Sequence, residues 1–152
     1  WVCDVFDKGR GVNLTACMQL TWMPDEAEAE IYGGGEGAVV LRPVWRMAEG
    51  FEKAHGLRNK YKTDKRRPED AAMFSKSEEI NFHKLAMRYS KSLSKDQCFS
   101  ALRDMFRRIG QVMGEGKDVK VFFGVGDLCS KDKQAWFSFD GHYHRMVKKP
   151  LG

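Results

Sequence analysis

The chain lacks the features that mark several large function classes. Its longest apolar runs fall far short of the roughly twenty residues that a bilayer-spanning helix requires, so the sequence predicts no membrane partner. Cysteine is sparse: Cys3, Cys17, Cys98 and Cys129 are scattered, with no Cys-x-x-Cys pair. That spacing speaks against a disulfide framework or a zinc site and for reduced, buried thiols, as in a reducing intracellular compartment. The glycines at Gly33, Gly34, Gly35 and Gly37 have no Gly-Lys-Ser/Thr after them, and three glutamates precede them. A phosphate cradle needs the opposite charge, so the run reads as a loop. His142-x-His144 has no second ligand pair nearby at zinc spacing, and His55 and His83 fall on short helices as surface or capping residues. No Ser/His/Asp or Cys/His set offers a nucleophile with its base. The sequence therefore predicts a protein that is not an enzyme and takes neither cofactor nor metal.

What is present is a globular composition. Hydrophobic residues make up 42% of the 152 positions, enough for a core, and charged residues 31%, which suits a wet surface. That length allows one domain or two small ones. The chain opens on Trp1 rather than methionine, and residues 1 to 8 read as the end of a helix, as expected of a piece of a longer protein.

The stretch from Ser94 to Phe123 carries the firmest structural signal. Cys98, Phe99, Leu102, Met105, Phe106, Ile109, Val112 and Met113 follow the i, i+3, i+4, i+7 spacing of one helical face. Ser94 and Gln97 form a capping box, and Gly114 and Gly116 supply a stop. Val119, Val121 and Phe123 then alternate with Lys120 and Phe122 at strand period, and Leu102, Phe106 and Ile109 are expected to bury against Val121, Phe123 and Phe137. The opposite helical face is basic, with Arg103, Arg107 and Arg108.

Part of this unit recurs. Gly9-Arg10-Gly11-Val12-Asn13-Leu14 matches Gly116-Lys117-Asp118-Val119-Lys120-Val121 as glycine, base, any residue, valine, polar residue, aliphatic. In both places a helical pattern precedes and a strand follows, which predicts two copies of one small module. The first copy continues through Met18, Leu20 and Trp22 to Pro24, passes an acidic, glycine-rich excursion over residues 25 to 37, and resumes at Ala38 to Leu41, Val44 and Trp45. A short helix within Met47 to His55 stops at Gly56. In the second copy Asn81 caps a helix with Phe82, Leu85, Ala86 and Tyr89 on one face; the long helix, its strand, Leu128-Cys129, a tight turn at Ser130 to Lys133 and the strand Gln134 to Phe139 follow. The expected organisation is a partial first domain over 1–56, a basic linker over 57–77, most of it exposed, and a second domain over 78–147.

Two helices followed by a three-stranded meander, with Val-x-Val-x-Phe-Gly-Val-Gly at its bend, resemble the HU and integration-host-factor fold. More closely, the pieces are similar to the tandem HU-like domains of the coiled-coil domain-containing protein eighty-one family. The residues that carry the likeness are Gly9 to Leu14, Arg42-Pro43-Val44-Trp45, Phe51 to Leu57, Ile80 to Ala86 and Val119 to Leu128. The first copy departs at Thr15-Ala16-Cys17-Met18, where a Pro-Gly-x-Gly bend is expected, and its leading helix is missing. The resemblance implies an α+β fold of two small HU-like modules, each a helical hairpin packed on a three-stranded antiparallel sheet, the first truncated at its N-terminus. It also implies a structural, assembling protein of the cilium, axoneme, centriole or basal body.

HU proteins grip the minor groove with basic arms between the second and third strands. The second copy joins those strands by a tight turn, and the first has an excursion of the wrong sign, with Asp25, Glu26, Glu28, Glu30 and Glu36. Nucleic acid is therefore the lesser expectation, and an HU-class DNA- or RNA-binding protein the alternative reading. From Arg58 to Arg67 six bases (Arg58, Lys60, Lys62, Lys65, Arg66, Arg67) face the single acid Asp64, a net of +5, equal to the formal charge of the whole chain. These six, with Arg103 and Arg107, are the candidate partner-binding residues. The segment is either a solvated tether or a contact to an acidic partner. The family's setting makes axonemal or centriolar proteins, tubulin among them, the expected partners within a larger assembly.

Overall fold

The fold below is that of a computed structural model describing residues 1–25, 39–66 and 75–148. The acidic excursion over 26–37, Arg67 and the middle of the expected linker lie outside the described residues.

The repeat seen in the sequence is a repeat of structure. Helix α1 (Val2–Asp7) stops before Gly9, whose φ of 74° only glycine enters without a Cβ clash, and β1 (Gly11–Leu14) follows. The long helix α4 (Lys95–Gly114) stops before Gly116, at φ 82°, and β6 (Val119–Phe122) follows. In the first copy β2 (Met18–Pro24) and β3 (Val39–Met47) complete an antiparallel meander, and α2 (Glu49–His55) ends at Gly56 in the left-handed region. In the second, β7 (Gly126–Lys131) and β8 (Gln134–Phe139) do the same, closed by a 3-10 turn over Gly141–Tyr143. Helix α3 (Phe82–Tyr89) precedes α4, with Asn81 Oδ1 accepting from the Lys84 amide at 3.1 Å. Ser94 and Gln97 close the capping box reciprocally.

The departure in the first copy has a conformational cost. Where the second copy places Gly124 at φ 86° in the β6–β7 bend, the first places Thr15 at φ 56° between β1 and β2. A β-branched residue is strained there.

Each meander is wider than three strands because the connecting segments join it. Ser77–Glu79 forms β5, parallel to β1, and Met146–Lys148 forms β9, antiparallel to β3, giving a five-stranded sheet in the order β5-β1-β2-β3-β9. Arg58–Asn59 forms β4, parallel to β8, giving the second sheet the order β4-β8-β7-β6. Strand β9 pairs only with Val39–Leu41, so Pro43 sits where β3 is an edge and its missing N–H costs no ladder bond. Most of the described residues of the expected linker are exposed, Arg58, Lys60 to Thr63, Lys65, Lys76 and Ser77 among them, yet both described ends are built into the fold. Leu57 is buried, Arg58 and Lys60 donate their backbone N–H to Lys133 and Ala135 carbonyls, and buried Ser75 donates to the Gly9 carbonyl at 2.7 Å.

The core is continuous across both copies. Phe6, fully buried, stacks on Trp22 of its own copy at 4.6 Å and on Phe139 of the other at 5.9 Å, and it meets Tyr143 at 5.5 Å. Phe106 stacks on Phe123 at 5.8 Å. Along α4 the expected face holds at Cys98, Phe106, Ile109 and Met113, all buried, and partly at Leu102 and Val112. It fails at Phe99 and Met105, which are exposed: Phe99 turns outward to an edge contact with Phe82 at 5.2 Å. Tyr89 of α3 is exposed too, because its hydroxyl donates to Asp4.

Gly110 and Gly114, one turn apart, seat the end of α2. A Cβ on Gly110 would lie 2.3 Å from the His55 ring, and one on Gly114 2.7 Å from the His55 carbonyl. Gly126 answers the same need in a sheet, since a Cβ there would come within 2.2 Å of the Ser138 carbonyl across the ladder. The second glycine of the Phe-Gly-Val-Gly motif is thus a close-approach residue.

Candidate functional site

Two places bear on function: the hairpin tip where an HU-type arm would project, and the basic segment. At the first, Lys131 pairs directly with Gln134, leaving a two-residue turn of Asp132 and Lys133 with φ of 52° and 65°. That is the conformation whose twist matches a tight hairpin. The second copy has no arm. The corresponding stretch of the first copy lies outside the described residues.

The described part of the basic segment is folded against the body. Strand β4 anchors its start on β8, and Lys60 Nζ sits 4.2 Å above the Trp136 ring, a cation–π placement, and 5.4 Å from the Tyr61 ring. Asp64, with its side chain 7% exposed, holds the other end. It accepts from the Arg66 backbone N–H at 3.0 Å, from Arg66 Nε and Nη2 at 3.1 and 2.8 Å, and from Arg42 Nη2 at 2.7 Å. Arg66 Nη1 also donates to the Pro24 carbonyl at 2.7 Å. The forked guanidinium of Arg66, aided by its backbone N–H and by Arg42, holds the Asp64 carboxyl at about 2, against the opposing effect of burial.

This clasp redefines the candidate set. Arg66 and Lys60 are committed to the fold, whereas Arg58, Lys62 and Lys65 are exposed and enter no ion pair among the described residues. Arg67 lies outside the described residues. Arg103 and Arg107 sit elsewhere, on the exposed side of α4. There Arg103 lies 5.8 Å over Phe99 and Arg107 pairs with Asp104 at 3.6 Å. Between the segment and the two sheets runs an open groove of about 630 Å³, lined by Trp45, Tyr61, Lys62, Lys65, Trp136 and Phe137 among others. Its mix of aromatic and basic groups suits an anionic partner surface. Sequence reasoning missed the clasp because Arg42 and Asp64 are 22 positions apart and carry no motif.

The clasp makes a pH prediction. A carboxyl whose folded value is lowered stabilises the fold above its unfolded value, near 3.8, and that contribution is lost as pH falls toward about 2. Discounted for the half-exposed arginines, the contribution is about 1–2 kcal/mol. In urea melts, Asp64→Asn is expected to lose that amount at pH 7 and to converge on the wild type near pH 2. A variant parallel to the wild type at every pH would refute the clasp.

Chemistry elsewhere is sparse. All four cysteines are free, Cys98 and Cys129 buried and Cys3 and Cys17 half-buried. His142 is exposed against the Tyr143 ring, and no group of three or more potential metal ligands occurs among the described residues. The Tyr143 hydroxyl donates to Asp7 at 2.5 Å, and burial, with that bond, pushes its titration well above the ordinary tyrosine range. Tyr143 thereby ties the end of the second copy to α1.

No curated protein matches the chain. A family model does: residues 76–149 match CCDC81 eukaryotic HU domain 2. The matched span opens just before β5 and closes just after β9, so it includes both strands that the second copy lends to the first sheet. The span holds the helical pair and the three-stranded meander, and its match supports an HU-like domain of the CCDC81 family over residues 76–149.

Proposed function

We propose that this chain is a non-enzymatic assembly module of the ciliary, axonemal or centriolar cytoskeleton. It acts through protein–protein contacts, and its exposed bases Arg58, Lys62 and Lys65 meet an acidic partner such as tubulin. HU-like domains are not typically enzymes. The observation that carries the reading is the two-residue turn at Asp132–Lys133: the fold of a DNA-bending protein is present in the second copy without its bending device. The positive charge instead stands beside an aromatic groove on a folded surface.

Co-sedimentation tests this. The chain is expected to pellet with microtubules or axonemes at low salt, and Lys62→Gln with Lys65→Gln to reduce binding about threefold to tenfold, since exposed charges act within a Debye length of about 8–10 Å. Circular dichroism of the double variant should match the wild type. Tight association with duplex DNA, accompanied by bending and indifferent to the double variant, would overturn the proposal in favour of an HU-class nucleic-acid binder.

A further inference from the structure

The two sheets are repeats of each other, and one carries a strand where the other has none among the described residues. Superposing the copies by their Gly9–Leu14 and Gly116–Val121 match sets β1 against β6, β2 against β7 and β3 against β8. The outer flank of the third strand is covered in both sheets, by β9 and by β4. The outer flank of the first strand is covered only in the first sheet, by β5; the flank of β6 pairs with nothing among the described residues. An open edge offers a row of backbone donors and acceptors to an extended segment.

Strand β5 serves as an internal template for what such a segment must be. It runs parallel to β1, with Ser77 opposite Gly11, Glu78 opposite Val12 and Glu79 opposite Asn13, and Gly11 donates its N–H to the Lys76 carbonyl at 2.8 Å. Its side chains are read by the strand it joins. Glu78 pairs with Arg10 Nη1 at 2.7 Å, and Glu79 accepts from Asn13 Nδ2 at 2.7 Å. Ile80, next along, packs on the core. In the second sheet the positions of Arg10 and Asn13 are held by Lys117 and Lys120, both cationic and well exposed. Their present partners are solvent-exposed or distant: Glu115 at 2.9 Å and Asp127 at 3.8 Å, contacts of the kind that exchange readily. Asp118 stands where Gly11 stands, and since a Cβ on Gly11 would lie 2.5 Å from Ser77 Oγ, the first residue of an occupant must be glycine.

We propose that the free edge of β6 is a docking site for an acidic extended segment of a partner protein. The segment adds as a parallel strand, placing a glycine opposite Asp118 and two successive carboxylates against Lys117 and Lys120. An aliphatic residue follows over Val121. The exposed Phe122, 67% accessible, gives the end of such a segment an apolar surface to cover. This site is separate from the basic segment at 58–66, and its test is independent of the cytoskeletal reading.

The probe is an acetylated, amidated peptide Lys-Gly-Glu-Glu-Ile, the sequence of Lys76–Ile80 with glycine in place of Ser77, titrated into the isotope-labelled chain and followed by amide NMR. Shifts are expected at residues 117–122, lost in Lys117→Glu/Lys120→Glu by about tenfold in affinity and recovered when the peptide glutamates are replaced by lysine. Peptides methylated at alternate backbone nitrogens keep the charge but remove donors, and one of the two methylation phases is expected to abolish binding. Three results would each overturn the proposal: shifts confined to residues 10–14, which would mean displacement of β5; binding indifferent to both methylation phases; or self-association of the chain through β6 in place of peptide binding.

Discussion

Phe106→Ala is expected to lower the unfolding free energy by about 3–5 kcal/mol, the usual loss when a buried aromatic site is emptied. Phe106 is 1% exposed, midway along α4, with its ring stacked 5.8 Å from Phe123. The site has little freedom to collapse. Val121, Phe123 and Phe137 pack against the core cluster that holds it, and Ile109 and Met113 belong to that cluster on the same helix, which His55 meets at the glycine seat of Gly110 and Gly114. Urea unfolding followed by circular dichroism measures the loss. An effect below about 1 kcal/mol would mean that the neighbouring rings close the void, contrary to the close packing of protein interiors.

The parts of this fold that were legible in the sequence are those fixed locally. The capping box at Ser94 and Gln97 needs only four residues to form, and it forms. The glycine stops at Gly9 and Gly116 were readable because a positive φ is a demand on a single residue, and the matching residues around them exposed the repeat. The tight β7–β8 turn was visible from polar residues between two apolar runs, though its centre is Asp132–Lys133 and β7 runs through Ser130 and Lys131.

What was not legible depends on contacts distant in sequence. Ser-Glu-Glu at 77–79 has no strand period and no apolar face; it becomes β5 because Gly11 leaves room for Ser77 Oγ and because Arg10 and Asn13 donate to its two carboxylates. Asp64 looked like a lone acid in a basic run, and only the fold brings Arg42 to it. Gly110 lies inside a helix, where glycine ordinarily costs stability. Its purpose appears only when His55 arrives from α2. The exposed bases Arg58, Lys62 and Lys65 were legible as a group, but the sequence could not separate them from Lys60 and Arg66, which the fold has claimed.

Phe6→Ala is expected to cost as much as Phe106→Ala, about 3–5 kcal/mol, and to do so in both copies at once. Phe6 is the ring at which the repeats meet: fully buried, it touches Trp22 in the first sheet and Phe139 and Tyr143 from the second copy. Truncation removes three aromatic contacts and loosens α1, which Asp7 otherwise ties to Tyr143. Because β5 and β9 come from the second copy but complete the first sheet, the first sheet is not self-sufficient. The wild type and the variant should therefore each unfold in one transition, with amides of β2 and β7 reporting the same midpoint in denaturant-dependent hydrogen exchange. Both sets of amides should move together when Phe6 is truncated. If β2 loses protection while β7 keeps the wild-type midpoint, the copies are separate folding units joined by a tether. The strand exchange would then be incidental to stability.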